Sequence, residues 1–226
     1  MRVALTFLVF VLSATCFAQR QYVGLSTGVS NADVAATSFF EDSKHRRGLH
    51  FGVIYERYFN DRIGIETGLR YIQKGFREVS IFTNDEGDII GESDEFEFDY
   101  DYLSLPIMAE ISTGNRLRGI LKAGLHSSIV LNATTTTPEI EGLAGETIDV
   151  SDRVTSFDFA AAFGAEANYG VLDGLLAFTT VDYVHSLSNF SNEQYFNGRE
   201  ASHFTFLFSA GIKLELNSKA LIKTTE

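Results

Sequence analysis

"HFTFLFSAGIKLEL", residues 203–216, alternates with period two. Phe204, Phe206, Phe208, Ala210, Ile212 and Leu214 fall on one face of an extended chain, and Thr205, Ser209, Gly211, Lys213 and Glu215 fall on the other. That period has no use in a helix, so it specifies a strand. The same alternation recurs through the chain. "YVGLSTGV" sets Val23, Leu25 and Val29 against Tyr22, Gly24, Ser26 and Gly28. "GLHFGVIYERYF" sets Leu49, Phe51, Val53 and Tyr55 against His50, Gly52 and Glu56. "RIGIETGLRYIQKG" sets Ile63, Ile65, Leu69 and Tyr71 against Gly64, Glu66, Gly68, Arg70 and Lys74.

Four more segments follow. Leu103, Leu105, Ile107, Ala109 and Ile111 oppose Ser104, Pro106 and Glu110. Leu121, Ala123, Leu125, Ile129 and Leu131 oppose Lys122, Gly124, His126 and Ser128. Phe157, Phe159, Ala161, Phe163 and Ala165 oppose Asp158, Gly164 and Glu166. The weakest row is Leu175, Ala177, Val181 and Tyr183, with Asp182 opposite. Eight strands result. Their connections alternate between tight turns (near residue 60, at 113–116 and at 169–174) and long polar segments at 31–47, 78–99, 132–153 and 189–202. Short–long alternation is the habit of an antiparallel up-and-down barrel in an outer membrane, with short periplasmic turns and long outward loops.

The polar face decides between membrane and water. It mixes glycine with isolated charges of both signs, as a narrow lumen requires, whereas a solvated face would carry more Lys, Glu and Thr. The apolar face is nearly free of charge over the ~9–11 residues per strand that a tilted crossing needs. The reading is all-β: an eight-stranded antiparallel transmembrane barrel. Its expected lumen network is Glu56, Glu66, Arg70, Lys74, Glu110, Lys122, His126, Asp158, Glu166, Asp182, Lys213 and Glu215. A soluble periplasmic lipocalin-like carrier, with the apolar face turned inward, is the alternative.

"MRVALTFLVFVLSATCFAQ" has the charged, apolar and small-residue regions of a secretory leader, so residues 1–18 are expected to be removed. Residues 19–216 are then the barrel domain and 217–226 a short periplasmic tail. Cys16 is the only cysteine, so the mature chain has no disulfide, thiol nucleophile or Cys-based zinc site. The net charge of −12 argues against nucleic acid.

"ESDEFEFDYDYLSLPIMAEI", residues 92–111, turns from alternating acids and aromatics into an apolar row. Asp99 and Asp101 extend the outward register, and carboxylates in hydrocarbon are costly, so they lie above the apolar belt. Phe98, Tyr100 and Tyr102 then point inward and cap the lumen, unless a bulge near Tyr102 turns them outward as an interfacial girdle. Sequence alone leaves both open. Asp85, Glu86, Asp88, Glu92, Asp94, Glu95, Glu97 and Asp99 form an acidic surface loop. It lacks calcium-loop spacing, although the absence of Lys and Arg between Arg77 and Arg116 leaves room for weak divalent binding.

The segments "GLHFGVIYERYFNDRIGIETGLRYIQKGF", "DYLSLPIMAEI", "GILKAGLHSSIVL", "TTVDYVHSLSNF" and "LFSAGIKLEL" resemble, in order and spacing, the PorT-like outer-membrane barrel proteins of Bacteroidetes, from about Tyr22 to Leu216. The resemblance implies an eight-stranded outer-membrane barrel and little about activity. Asp182 stands where that family leads one to expect a basic residue, which implies a rewired lumen ion pair. The name-giving member is linked to secretion, a role that fold alone does not transfer.

Enzyme candidates are sparse. His185 and Ser186 are adjacent and face opposite ways. His126 and Ser128 share the inner face, but a lumen histidine bonded to a carboxylate is the expected role. His203 is the third candidate, and no metal constellation exceeds chance. Eight strands enclose a lumen that side chains largely fill, so conductance should be small. The expectation is a non-enzymatic outer-membrane barrel without cofactors, both termini periplasmic. It would be a monomer in contact with outer-membrane lipid and lipopolysaccharide, with any protein partner at the surface loops or periplasmic turns. A barrel-embedded lipid-modifying hydrolase is a more distant alternative.

Overall fold

The computed structural model describes residues 20–35, 43–80, 94–114, 116–139, 144–191 and 201–216. The expected leader at 1–18, the expected tail at 217–226 and the acids Asp85, Glu86, Asp88 and Glu92 lie outside the described residues, as does the side chain of Asp94.

Among the described residues nine strands form in chain order: β1 (Arg20–Ala35), β2 (Ser43–Tyr58), β3 (Ile63–Ser80), β4 (Asp94–Gly114), β5 (Leu117–Thr136), β6 (Thr147–Asp149), β7 (Phe157–Leu172), β8 (Leu175–Ser186) and β9 (Ser202–Glu215). The sheet order is β4-β3-β2-β1-β9-β8-β7-β5, and β4 also pairs with β5, which closes the ring. All pairings are antiparallel. Eight strands make the barrel. The three-residue β6 is a flap on the outward end of β5, where Thr134–Thr136 pair with it.

Exposure settles the two faces. Leu121 is 68% exposed and Ile111 65%, whereas Glu110 and Lys213 on the other face are 0% exposed. A lipocalin would show the reverse, so that arrangement is excluded. An outer surface this apolar requires lipid around it.

The turns on one side are short for identifiable reasons. The Asn60 side-chain oxygen accepts hydrogen bonds from the backbone N–H groups of Arg62 and Ile63, both 2.8 Å long, which folds β2 back into β3. Gly174 closes the β7–β8 hairpin at φ 78°, a left-handed conformation that glycine adopts without strain.

The strands run well past the sequence boundaries. Segments 31–47, 78–99 and 132–153 read as loops, yet β1 continues to Ala35, β2 starts at Ser43, β3 reaches Ser80, β4 starts at Asp94 and β5 reaches Thr136. Polarity there marks where lipid ends; above the belt, polar side chains suit both faces of a ladder that keeps pairing. At about 3.3 Å per residue and ~40° of tilt, the 21 residues of β4 rise roughly 50 Å, about twice the ~25 Å apolar band of such barrels.

The phase of the acidic–aromatic segment is resolved as well. Phe98, Tyr100 and Tyr102 all point inward and are buried. A bulge does occur beside Tyr102, but on the neighbouring strand: Asp101 pairs with Asn132 and Tyr102 with Val130, so Leu131 of β5 is the extra residue. The outward aromatic band is built from other residues. Phe51 stacks on Tyr71 at 5.1 Å, and Tyr183 lies 5.1 Å from Phe206.

Candidate functional site: the charged lumen, its cap and the outward rim

Parity along each strand sends the lumen charges inward, and closure of the sheet brings distant strands face to face. Lys213 of β9 forms ion pairs with Glu56 of β2 and Glu166 of β7. Lys122 of β5 lies 3.0 Å from Glu66, 3.1 Å from Glu166 and 3.6 Å from Asp182. Arg70 of β3 donates to Glu66 at 2.7 Å and, across the lumen, to Asp182 of β8 at 3.0 Å. Gly164 makes room for this layer, because a Cβ there would meet the Asp182 carboxylate. The acid at position 182 is therefore absorbed by two cations of the same layer.

Further outward, Lys74 donates to Asp158 at 2.7 Å and lies 4.6 Å above the Tyr102 ring. Ser186 and Ser188 also donate to Asp158, at 3.0 and 2.8 Å. His126 sits here, and its expected carboxylate partner is replaced: Nδ1 lies 3.3 Å from the Ser104 hydroxyl, to which Ser128 donates at 3.0 Å. The reason is level, since Pro106 pairs with His126 and Ser104 with Ser128, and the carboxylates nearby are taken by lysine and arginine. Glu215 is the other departure. It lies half-buried at the periplasmic end of β9 instead of inside the sealed lumen.

The outward mouth is filled by rings. Phe76 stacks on Phe98 with centroids 4.4 Å apart, and Phe190 stacks on His203 at 4.1 Å. Tyr100 touches both Phe190 and His203, at 5.4 and 5.1 Å. Val150 and Val154 from the β6–β7 connection, and Phe190 and Ala201 from the β8–β9 connection, complete this core. Backbone bonds tie the two connections together: Thr155 N–H donates to the Phe190 carbonyl at 2.7 Å. The histidines are thus dispersed. His203 is a ring in the cap, His126 is among hydroxyls, and His185 faces outward, with its Nδ1 3.2 Å from the Tyr183 hydroxyl.

At the rim above the belt, the described acids have bases that linear sequence hides. Lys44 of β2 donates to Glu95 at 2.5 Å, and Arg46 pairs with Glu97 and Asp99. Arg77 of β3 lies 3.7 Å from Glu95 and 3.4 Å from Glu97. The hydrogen bond from Lys44 holds the exposed Glu95 carboxyl below the usual glutamate range. The stretch without Lys or Arg between Arg77 and Arg116 therefore does not make this rim a bare acidic patch: register supplies the cations from neighbouring strands. Sequence reading also passed over Arg118, whose even parity on β5 would have placed it inside. It is buried, donates to the Ser112 hydroxyl at 2.7 Å and lies 4.6 Å above the Tyr58 ring.

No curated protein matches the sequence. Solved structures similar to this chain include a major outer membrane protein of Thermus thermophilus, at TM-score 0.53 and 10% identity, covering 87% of this chain and 98% of that one. Another is OprG from Pseudomonas aeruginosa, at TM-score 0.48 and 9% identity, covering 88% and 97%. A third is the attachment invasion locus protein Ail of Yersinia pestis, at TM-score 0.42 and 13% identity, covering 87% and 100%. At 10% identity the likeness to the Thermus protein is one of fold. Residues 17–192 match the outer membrane protein beta-barrel domain family. With that match over most of the sequence, and with a closed barrel that is apolar outside and charged inside, this chain is a member of that outer-membrane family.

Proposed function

We propose that the chain is a non-enzymatic, closed barrel of the PorT-like kind, monomeric, exported by a leader at residues 1–18, and acting through its outward rim and the surface loops above it. The observation that carries this reading is the lumen. It is filled by cross-barrel ion pairs along the membrane and by stacked rings at the mouth, leaving transport a poor use of the interior. The rim offers what the lumen withholds: exposed charges of both signs, Lys44, Arg77, Glu95 and Glu97, on strands that project beyond the belt. Mixed charge at that level suits the phosphates and divalent ions of lipopolysaccharide, or a protein partner held by the loops. Closure leaves the barrel without a free strand edge for pairing with a second copy.

A hydrolase reading finds little support. His126 meets the Ser104 hydroxyl deep in the lumen, and His185 points to the outer face. The test is conductance of the purified barrel in planar bilayers, beside a variant with Phe76, Tyr100 and Tyr102 changed to Ala. Both are expected to be electrically silent at steady state, because the ion-pair layer remains. A stable open pore in the unmodified protein would overturn the reading.

A further inference from the structure

Three glutamates lie close together in the lower lumen. The carboxylate oxygens of Glu56, Glu66 and Glu110 approach one another within 4.8 Å, all three side chains being buried. Glu66 is occupied by Arg70 and Lys122, and one oxygen of Glu56 by Lys213. Glu110 is different. It is 0% exposed, and among the described residues no cation pairs with it; the Tyr58 hydroxyl approaches it without completing a well-formed hydrogen bond, and the second oxygen of Glu56 has no partner. A buried carboxylate without compensation is among the most expensive groups a fold can hold.

The neighbouring cations do not relieve it. Lys122 and Lys213 are each shared between other carboxylates, and Arg70 is divided between Glu66 and Asp182. Arg118 lies over the Tyr58 ring and donates to Ser112. Among the described residues, the buried lumen holds six carboxylates (Glu56, Glu66, Glu110, Asp158, Glu166, Asp182) against four cations (Arg70, Lys74, Lys122, Lys213). Counting Arg118 at the periplasmic end still leaves one carboxylate over.

We infer that Glu56, Glu66 and Glu110, with the Tyr58 hydroxyl, form a lumenal site for a single divalent cation, calcium by its donor set. Oxygens within 4.8 Å of one another can close around one ion, and a buried set of protein oxygens suits calcium better than magnesium, which gives up its water reluctantly. The oxygens of Glu110 and the second oxygen of Glu56 supply ligands outside the ion pairs described above, and Glu66, whose two oxygens meet Arg70 and Lys122, shares one of them with the ion. The site lies near the periplasmic end. A polar cavity of about 510 Å³ lined by Arg20, Asp61, Arg62 and Ser112 reaches Ser112, two residues from Glu110 on the same inward face of β4, with Arg118 between the cavity and the Tyr58 ring.

The full chain, purified from outer membranes in detergent and stripped with EDTA, is titrated with terbium(III) and with calcium. Terbium bound beside Tyr58 gains tyrosine-sensitised emission, which calcium should displace at lower concentration than magnesium. Calcium at ~100-fold over its Kd should raise the unfolding midpoint by roughly 5–10 °C. Glu110→Gln should raise the midpoint in EDTA and weaken calcium binding at least tenfold, an opposite pair of effects that a merely structural role would not give. Tyr58→Phe should lose most of the emission and keep a calcium-dependent midpoint. Glu95→Gln with Glu97→Gln, at the rim, should change neither. If calcium leaves the unmodified midpoint unmoved, or if Glu110→Gln keeps full binding, the site does not exist. Should Glu110→Gln fail to fold, the other two variants decide: a calcium shift lost in the rim variant, or emission unchanged in Tyr58→Phe, overturns the inference.

Discussion

The two ends of the lumen are filled by opposite means. Within the membrane, Arg70, Lys122 and Lys213 hold Glu56, Glu66, Glu166 and Asp182 in a layer of shared ion pairs. Above it, Phe76, Phe98, Tyr100, Phe190 and His203 pack as rings. A ring packs against any ring of suitable shape, so the cap gains its stability from burial and tolerates rearrangement. A buried charge has no such freedom. Its desolvation is recovered only if its partner stands at the right place, so the lower lumen fixes the relative positions of β2, β3, β5, β7, β8 and β9.

The sharpest way to break that comparison is Lys213→Met. The substitution keeps the stem and strands Glu56 and Glu166, so it should cost about 3–5 kcal/mol, read as a lower temperature for the loss of the fast-migrating folded band on a denaturing gel. Phe76→Ala removes a ring from the other end and should cost about 3 kcal/mol through the cavity it leaves. Its companion Phe76→Leu should recover most of that loss, whereas Lys213→Arg should not recover the geometry of a lysine shared by two carboxylates. If the two conservative changes behave alike, the distinction between the ends fails.

The difference also explains what the sequence made legible. Inward charge was readable from parity alone, as for Glu66, Arg70 and Lys74 on β3 or Lys213 on β9. Their partners were not, because Arg70 meets Asp182 across the barrel, 112 positions away, and that meeting depends on how the closed sheet is staggered. The cap was half legible. Phe98, Tyr100 and Tyr102 were candidates for it, but Val150, Val154 and Phe190 come from connections without any period. The bulge at Leu131 left no mark in the apolar row to which that residue belongs. The rim pairs Arg46–Asp99 and Lys44–Glu95 were hidden for a related reason: they join β2 to β4 over the intervening β3.

A smaller effect probes the border between the two ends, where Asp158 accepts from Lys74, Ser186 and Ser188. Ser186→Ala removes one hydrogen bond to a charged group and should cost about 1.5 kcal/mol. Denaturant unfolding of the single variant, and of the pair with Lys74→Met, checks whether the bond belongs to the ionic network. Strong non-additivity would place it there; simple addition would assign it to the cap's neutral packing.

The smallest expected effect lies on the rim, where ion pairs face water. The Glu95 carboxyl is held below its ordinary value of 4.5, first by the hydrogen bond from Lys44. A carboxyl whose folded value is depressed contributes stability that is complete above its unfolded value and fades as pH falls through the folded one. Exposure and screening make that contribution slight, so the informative readout is the titration itself. Carboxyl NMR of Glu95 should show a midpoint below 4.5 in the unmodified protein, moving up toward the ordinary value in Lys44→Met, while the unfolding transition stays where it was. A large loss of stability from Lys44→Met would mean that the rim is built like the lower lumen, and that the barrel is held by ionic pairing along its whole height.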